Sequence, residues 1–203
     1  MQKSIIVGIG GTTNGGKSTL AQSLQQRIPN SCIIAQDTFF KDDSMVPADS
    51  HGFKQYDTLD AINMDLMMRE VELWRTDPGV YLTSRGAGPP PETPDQEKVY
   101  VLIVEGFLIF NHRLLNELMD MRYFLEIPFE VCRERRCSRV YNPPDPPGYF
   151  DGHVWPMYLK NKQEMEDTVS GIVLLDGLKL KEDLLASVCE AISHEIQILV
   201  GKH

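Results

Sequence analysis

Gly11-Thr12-Thr13-Asn14-Gly15-Gly16-Lys17-Ser18 spells G-x-x-x-x-G-K-S, directly after the apolar run Ile5-Ile6-Val7-Gly8-Ile9 and directly before a helix-like stretch from Thr19 to Ile28. Strand, glycine-rich turn and helix in that order read as a phosphate-binding loop. The glycines let the chain curl so that successive backbone N–H groups converge on phosphate oxygens, and the following helix adds the positive end of its dipole. In this reading Lys17 bridges the outer phosphates and Ser18 holds magnesium. A Gly-rich turn capping a helix explains the glycines but not Lys17 and Ser18 together.

Outward from the loop, short apolar runs recur at Ile5–Ile9, Cys32–Ala35, Val99–Val104, Tyr123–Ile127 and Ile172–Leu175. Uninterrupted runs of this length suit strands buried on both faces. Between them lie helical spacings: Leu20, Leu24 and Ile28 in one stretch, and Leu180, Leu184, Val188, Ile192, Ile196 and Leu199 in another. Alternating strand and helix predicts an α/β fold, a mostly parallel sheet covered by helices on both faces, with ligands at the carboxyl ends of the strands.

The 203 residues, 42% of them hydrophobic, suffice for one substantial core and predict one domain over residues 1–203. Twenty basic against 29 acidic residues give a net charge of −9, which argues against general binding to nucleic acid or anionic membranes and favours a small ligand. Cys32, Cys132, Cys137 and Cys189 are scattered without a C-x-x-C pair, so neither a disulfide framework nor a zinc site is expected. Met1 to Gly10 lacks the features of a signal peptide and no later run approaches membrane-spanning length, so a cytoplasmic protein is expected. Arg85 to Pro94 carries Pro and Gly at a density that predicts a mobile loop at about 85–95.

Two acids fall at the ends of predicted strands: Asp37, after Cys32-Ile33-Ile34-Ala35-Gln36, and Glu105, after Val101-Leu102-Ile103-Val104. Phosphoryl transfer needs such a pair, one carboxylate to take the acceptor hydroxyl's proton and another to orient magnesium or its water. Either acid alone is also an ordinary cap, as Asp37 is for Thr38-Phe39-Phe40. Phe39, Phe40 and Phe107 line an acceptor pocket or join the core. Gln55-Tyr56-Asp57 opens a helical pattern from Thr58 to Trp74 and sets a ring beside a carboxylate, a pair that holds a sugar or a cationic heterocycle or simply starts a helix.

Arg133, Arg135, Arg136 and Arg139 crowd together after Pro128 in an acidic protein. Arginine forks suit phosphate, and a lid closing over a nucleotide at about 132–145 would use them; a solvated face paired with Glu130 and Glu134 is the plainer reading. The stretch from Tyr141 to Tyr158 reads as rigid, aromatic and irregular, because four prolines within five residues (Pro143 to Pro147) forbid regular structure there. His153 reads as a packed, hydrogen-bonded structural histidine.

The stretches GIGGTTNGGKSTL (Gly8 to Leu20), QDTFFK (Gln36 to Lys41), GFKQYD (Gly52 to Asp57), VEGFLIFN (Val104 to Asn111), RRCSRVY (Arg135 to Tyr141), PPGYFDGHVWPMY (Pro146 to Tyr158) and LDG (Leu175 to Gly177) resemble the nicotinamide riboside kinases, among the uridine kinase-like P-loop kinases of nucleosides and nucleotides. The resemblance implies a P-loop NTPase fold with a five-stranded, mostly parallel sheet and a small helical lid. It implies transfer of the γ-phosphate of ATP, or of GTP, with Mg²⁺, to the ribose 5′-hydroxyl of nicotinamide riboside and of nicotinic acid riboside, giving the mononucleotide for NAD synthesis. Lys17, Asp37 and Glu105 are then the catalytic set, with Ser18 and Asp37 at the metal. Gly11, Thr12, Thr13, Asn14, Gly15, Gly16, Lys17, Ser18 and Thr19 surround the nucleotide phosphates together with Arg135 and Arg139, while Lys179 and Lys181 border the adenine.

On the acceptor side the resemblance implies Asp37, Thr38, Phe39, Phe40, Tyr56, Asp57, Arg136, Tyr141 and Asn142. Asp57 and Arg136 meet the ribose hydroxyls, and Tyr56 and Tyr141 sandwich the pyridine. Thr38 departs from the family, which often has a second acid there, and nothing transfers across the unusual loop from Arg85 to Pro94. The substrate's pyridinium charge suits two electron-rich tyrosine faces, worth about 0.5 to 2 kcal/mol per ring. A small-molecule nucleoside is the expected partner, with no nucleic acid or membrane, for a monomer or weak homodimer. The rival readings are a uridine–cytidine kinase and a nucleotide-dependent switch.

Overall fold

Ile5, Val7 and Ile9 pack toward one face of the central strand and Ile6 toward the other, so β1 (Lys3–Gly11) separates two apolar layers. The computed structural model describes residues 2–86 and 98–201. Along the chain follow α1 (Lys17–Arg27), β2 (Ser31–Ala35), α2 (Met64–Thr76), α3 (Pro78–Ser84), β3 (Val99–Glu105), α4 (Arg113–Glu117), β4 (Met121–Glu126), α5 (Phe129–Cys137), α6 (Trp155–Thr168), β5 (Ile172–Asp176) and α7 (Lys181–Gly201). The strands form one parallel sheet in the order β2-β3-β1-β4-β5, with Val7 opposite both Ile103 and Met121.

One layer joins Ile6, Ile34, Leu102 and Val104 to Met67, Val71 and Trp74 of α2 and Met165 of α6. The other joins Val7, Ile9, Val101 and Ile103 to Leu20 and Leu24 of α1 and to Leu184, Leu185, Val188 and Ile192 of α7. A third, smaller cluster sets Cys132 of α5 against Tyr149, Phe150 and Val154. Because the chain reverses direction in strand order beside β1, the carboxyl ends of β1, β2 and β3 open onto one crevice.

The expected strands all form, but β5 is an edge strand: Val173 and Leu174 are 50% and 54% exposed, so it is not buried on both faces. Leu180 is exposed ahead of α7 and does not belong to the buried stripe. By length and apolar content α7 meets the measure of a membrane span, contrary to the expectation that no run approaches one, although its inner stripe packs in the second layer.

The helical pattern from Thr58 to Trp74 is interrupted. A single 3₁₀ turn (Leu59–Ala61) is followed by extended Ile62, which bridges Phe40, and Asn63 then caps α2 by accepting from the Leu66 N–H at 3.1 Å. Thr58 stands at the N-cap position of the 3₁₀ turn without a side-chain capping bond, and neither it nor Asp57 starts α2.

The irregular stretch ends earlier than expected. Phe150–Val154 forms a π-helical turn that runs into α6. Pro156 lacks the N–H for an α-helical bond and its ring crowds the carbonyl four residues back, a conflict that widening the preceding turn relieves. Of the loop expected at 85–95, Arg85 and Gly86 follow α3, and the rest lies outside the described residues.

Candidate active site

The loop between β1 and α1 is held by backbone geometry. Gly11 adopts φ +140°, and a Cβ there would stand 2.3 Å from the Leu125 carbonyl oxygen, so only glycine fits. Gly15 N–H donates to the Thr12 carbonyl at 3.0 Å, and Thr12, fully buried, donates its hydroxyl to the Leu125 carbonyl at 3.3 Å. Gly16 caps α1 without a side-chain acceptor, which leaves first-turn N–H groups available to an anion.

Lys17 Nζ donates to the Thr12 carbonyl at 2.8 Å, and Ser18 Oγ donates to Glu105 Oε1 at 3.0 Å. Desolvation lowers the Lys17 ammonium to about 8 against the opposing pull of Glu105 and Asp37. Burial pushes the Glu105 carboxyl up, while Lys17 and the Ser18 hydroxyl draw it back. Asp37 stands in a 3₁₀ turn (Gln36–Phe39) directly after β2, within electrostatic reach of both. Buried Gln36 locks this turn to the segment that follows β3 by accepting from the Leu108 N–H at 2.9 Å.

A cleft of about 730 Å³ gathers Thr13, Asn14, Gly16, Lys17, Ser18, Thr19, Asp37, Phe40, Tyr56, Asp57, Glu105, Arg135, Arg136, Arg139, Tyr141 and Asn142 along one wall or another. Thr38 is turned away, donating to the Ala35 carbonyl at 2.7 Å, and Phe39 packs on the core. Neither of these two expected acceptor contacts reaches the cleft. Phe40 does, stacking on Phe107 with centroids 5.9 Å apart and meeting Tyr56 edge-on at 5.8 Å. Lys179 and Lys181 are exposed after β5 and outside the cleft lining, although Gly177 of the same loop fits so closely against the phosphate loop that a Cβ there would lie 3.3 Å from the Gly15 carbonyl oxygen.

The arginines divide. Arg135 Nη1 donates to the Asn14 carbonyl at 3.1 Å, and Arg139 Nη1 to Asn14 Oδ1 at 3.3 Å. Arg136 forks onto Asp145 at 2.7 and 3.1 Å, donates to Thr13 Oγ1 at 3.2 Å and lies 4.5 Å over the Tyr141 ring. Arg133 instead pairs with Asp151 at 3.1 Å, away from the cleft. Helix α5 ends at Cys137, so Arg139 reaches the loop from beyond the helix.

Sequence reading missed Asp145 and Asp43. Asp43 accepts from the Tyr56 hydroxyl, and burial together with this bond pushes the Tyr56 phenol up to about 12. The only sequence sign of Asp145 is an acid amid prolines nine residues after Arg136. Asp57 is met by His153, whose Nε2 lies 3.2 Å from Oδ2. Among the described residues no group of three or more His, Cys, Asp or Glu forms a ready-made metal cage.

A family model described as an AAA domain matches residues 7–156. The chain is 50% identical over 195 residues to nicotinamide riboside kinase 1 of Rattus norvegicus, covering 96% of this chain and 97% of that one. It is 45% identical over 192 residues to nicotinamide riboside kinase 2 of Homo sapiens, covering 95% of this chain and 82% of that one. Among solved structures, the thymidylate kinase of Candida albicans superposes with a TM-score of 0.51 at 14% identity, covering 95% of this chain and 92% of that one, a likeness of fold.

Proposed function

This chain belongs to the nicotinamide riboside kinase family, and we propose that it moves the γ-phosphoryl group of ATP to the ribose 5′-hydroxyl of nicotinamide riboside, giving the mononucleotide for NAD synthesis. Nicotinic acid riboside is the second substrate in this reading. The observation that carries it is the meeting, in one cleft, of Lys17, Ser18, Asp37 and Glu105 with two tyrosine rings, Asp57 and Arg136.

Asp37 accepts the proton of the 5′-hydroxyl as the sugar oxygen bonds to the γ-phosphorus and the bond to the leaving ADP oxygen breaks. The first-turn N–H groups of α1 and Lys17 face the charge that builds on the transferred group. Ser18 and Asp37, with Glu105 behind Ser18, are the residues that would hold Mg²⁺. When bound, that ion neutralises phosphate charge and fixes its oxygens. The segment from Cys132 to Asp145 acts as the lid, its Arg135 and Arg139 exchanging Asn14 for phosphate oxygens. Lys179, from the loop that Gly177 holds against Gly15, and Lys181, at the start of α7, flank the adenine in this reading.

Tyr56 and Tyr141 present ring faces to the pyridinium, and Asp57 and Arg136 meet the ribose hydroxyls. A protein that only switched between nucleotide states has no need of an aromatic pocket beside the acid. Incubation with ATP, magnesium and a panel of nucleosides, read by product mass, tests the assignment: nicotinamide mononucleotide is expected, and phosphorylation of uridine or cytidine in its place overturns it. Asp37→Asn is expected to bind ATP within about twofold of the parent while turnover falls by at least about 10²-fold. Near-normal turnover removes Asp37 from the proton-accepting role.

A further inference from the structure

His153 has no role in the reaction described above, yet its surroundings are those of a working group. Its side chain is 3% exposed, and the ring stacks on Tyr149 with centroids 5.0 Å apart at 27°. Stacking and burial would serve a phenylalanine equally well. The polar edge is what needs explaining: Nε2 is buried and makes no hydrogen bond among the described residues, and the group it faces is Asp57 Oδ2, at 3.2 Å but off the hydrogen-bonding direction. A buried ring nitrogen without a partner is costly, so a residue that keeps one has a use for it.

Asp57 is held at two points. Its main-chain carbonyl accepts from Asn161 Nδ2 of α6 at 2.9 Å, which fixes the backbone but leaves the carboxylate free to rotate about its side-chain bonds. Its side chain is 14% exposed and borders the cleft. His153 closes off Oδ2 and leaves Oδ1 as the oxygen for a ligand hydroxyl. The π-helical turn Phe150–Val154 carries the histidine to this place, and Tyr149, four residues earlier, supports it by donating its hydroxyl to the Lys54 carbonyl at 2.6 Å, three residues from Asp57.

We propose that His153 is a positioning residue: it orients the Asp57 carboxylate so that one oxygen meets the ribose 2′ and 3′ hydroxyls, and so sets the preference of this site for ribose over deoxyribose. The proposal rests on the reading of Asp57 as the ribose contact. It predicts an effect on acceptor binding that leaves the nucleotide side untouched.

The test is steady-state kinetics of the full chain and its His153→Phe and His153→Gln variants, with nicotinamide riboside and its 2′-deoxy analogue. For His153→Phe, the riboside KM is expected to rise about tenfold, with kcat and the KM for ATP within about twofold of the parent. Glutamine, which offers an N–H near the Nε2 position, is expected to recover KM to within about threefold of the parent. With the 2′-deoxy analogue the gap between parent and His153→Phe is expected to shrink to about threefold or less, because one of the two hydroxyls that Asp57 meets is gone.

An unchanged riboside KM, or an equal penalty on both sugars, overturns the proposal, as does a parallel loss in kcat and ATP affinity. Should the phenylalanine variant fail to fold, His153→Gln and His153→Asn are compared on the two sugars, and the asparagine, too short to reach Oδ2, must show the ribose-specific loss. The two readings fail separately. Absence of turnover on nicotinamide riboside by the parent enzyme overturns the substrate assignment, and the ribose comparison is then made with whichever ribonucleoside is phosphorylated.

Discussion

The two halves of the cleft are built in different ways. On the phosphate side, residues adjacent in sequence do adjacent jobs: Gly11 to Ser18 form one turn, seated on the Leu125 carbonyl by contacts of their own backbone. On the acceptor side the jobs are set by side-chain pairs that cross loops. Arg136 is set by Asp145, Tyr56 by Asp43 and Asp57 by His153 and Asn161, the last two 96 and 104 residues away in sequence. Backbone geometry gives an anion site that any triphosphate can use, whereas side-chain pairs across loops give a pocket whose shape and charge can be changed one residue at a time.

The sharpest break of this contrast is on the phosphate side. Gly11→Ala puts a methyl group 2.3 Å from a backbone oxygen at a φ that alanine rarely adopts, and is expected to lower catalytic efficiency at least about 10²-fold and stability by about 3 kcal/mol, roughly 6 to 12 °C in Tm. Calorimetric melting and ATP titration measure both. A fully active, equally stable variant means that the loop is not held by its backbone.

On the acceptor side Asp145→Asn keeps size but removes the charge that holds the Arg136 fork. The riboside KM is expected to rise about 10- to 30-fold while ATP binding changes less than twofold, since among the described residues the hydrogen bond from Arg136 to the phosphate loop is the one to Thr13. Equal losses on both substrates would show the halves to be one unit.

The halves also differ in their response to pH. Lys17 is charged below about 8 and neutral above it, well under the ordinary lysine value. Affinity for the magnesium–ATP complex is therefore expected to be about fivefold weaker at pH 9 than at pH 7.5, with proton uptake on binding in that range. The contribution of Lys17 to folding stability runs the other way. The unfolded chain keeps this proton up to about 10.5, so stability from this group rises between 8 and 10.5. Isothermal titration in buffers of different ionisation enthalpy detects the uptake, and a flat profile places the lysine outside the phosphate contacts.

The smallest effect is expected from Arg133→Ala. Its partner Asp151 and its direction away from the cleft predict less than a twofold change in either KM, in contrast to Arg135 and Arg139 of the same cluster. Kinetics of the three single alanine variants separate the lid arginines from the solvated one.

Much of this was legible in the residues because the signals are short-range. Uninterrupted apolar runs mark parallel strands, and a strand, a glycine turn and a Lys-Ser pair mark an anion site, so Lys17, Ser18, Asp37 and Glu105 could be named from position alone. Thr38 and Phe39 misled because neighbours in and just after a 3₁₀ turn point in different directions, and of the four residues from Asp37 to Phe40 the first and last face the cleft. The helix from Thr58 was misplaced because Ile62 answers to Phe40, a bridge that no local pattern announces. Asp145 and Asp43 were missed for the same reason: a carboxylate has a function here only through the group it meets.

From the chain alone came the layered α/β plan, the phosphate grip and the acids beside it, since each depends on periodicity or on a few successive residues. The folded molecule decided which arginines reach the glycine-rich loop, which acids hold Arg136 and Tyr56, and that a histidine buried on a π-helical turn stands behind Asp57. Most of those pairings join residues far apart in sequence, and their energies exist only once the core has brought the loops to within hydrogen-bonding reach.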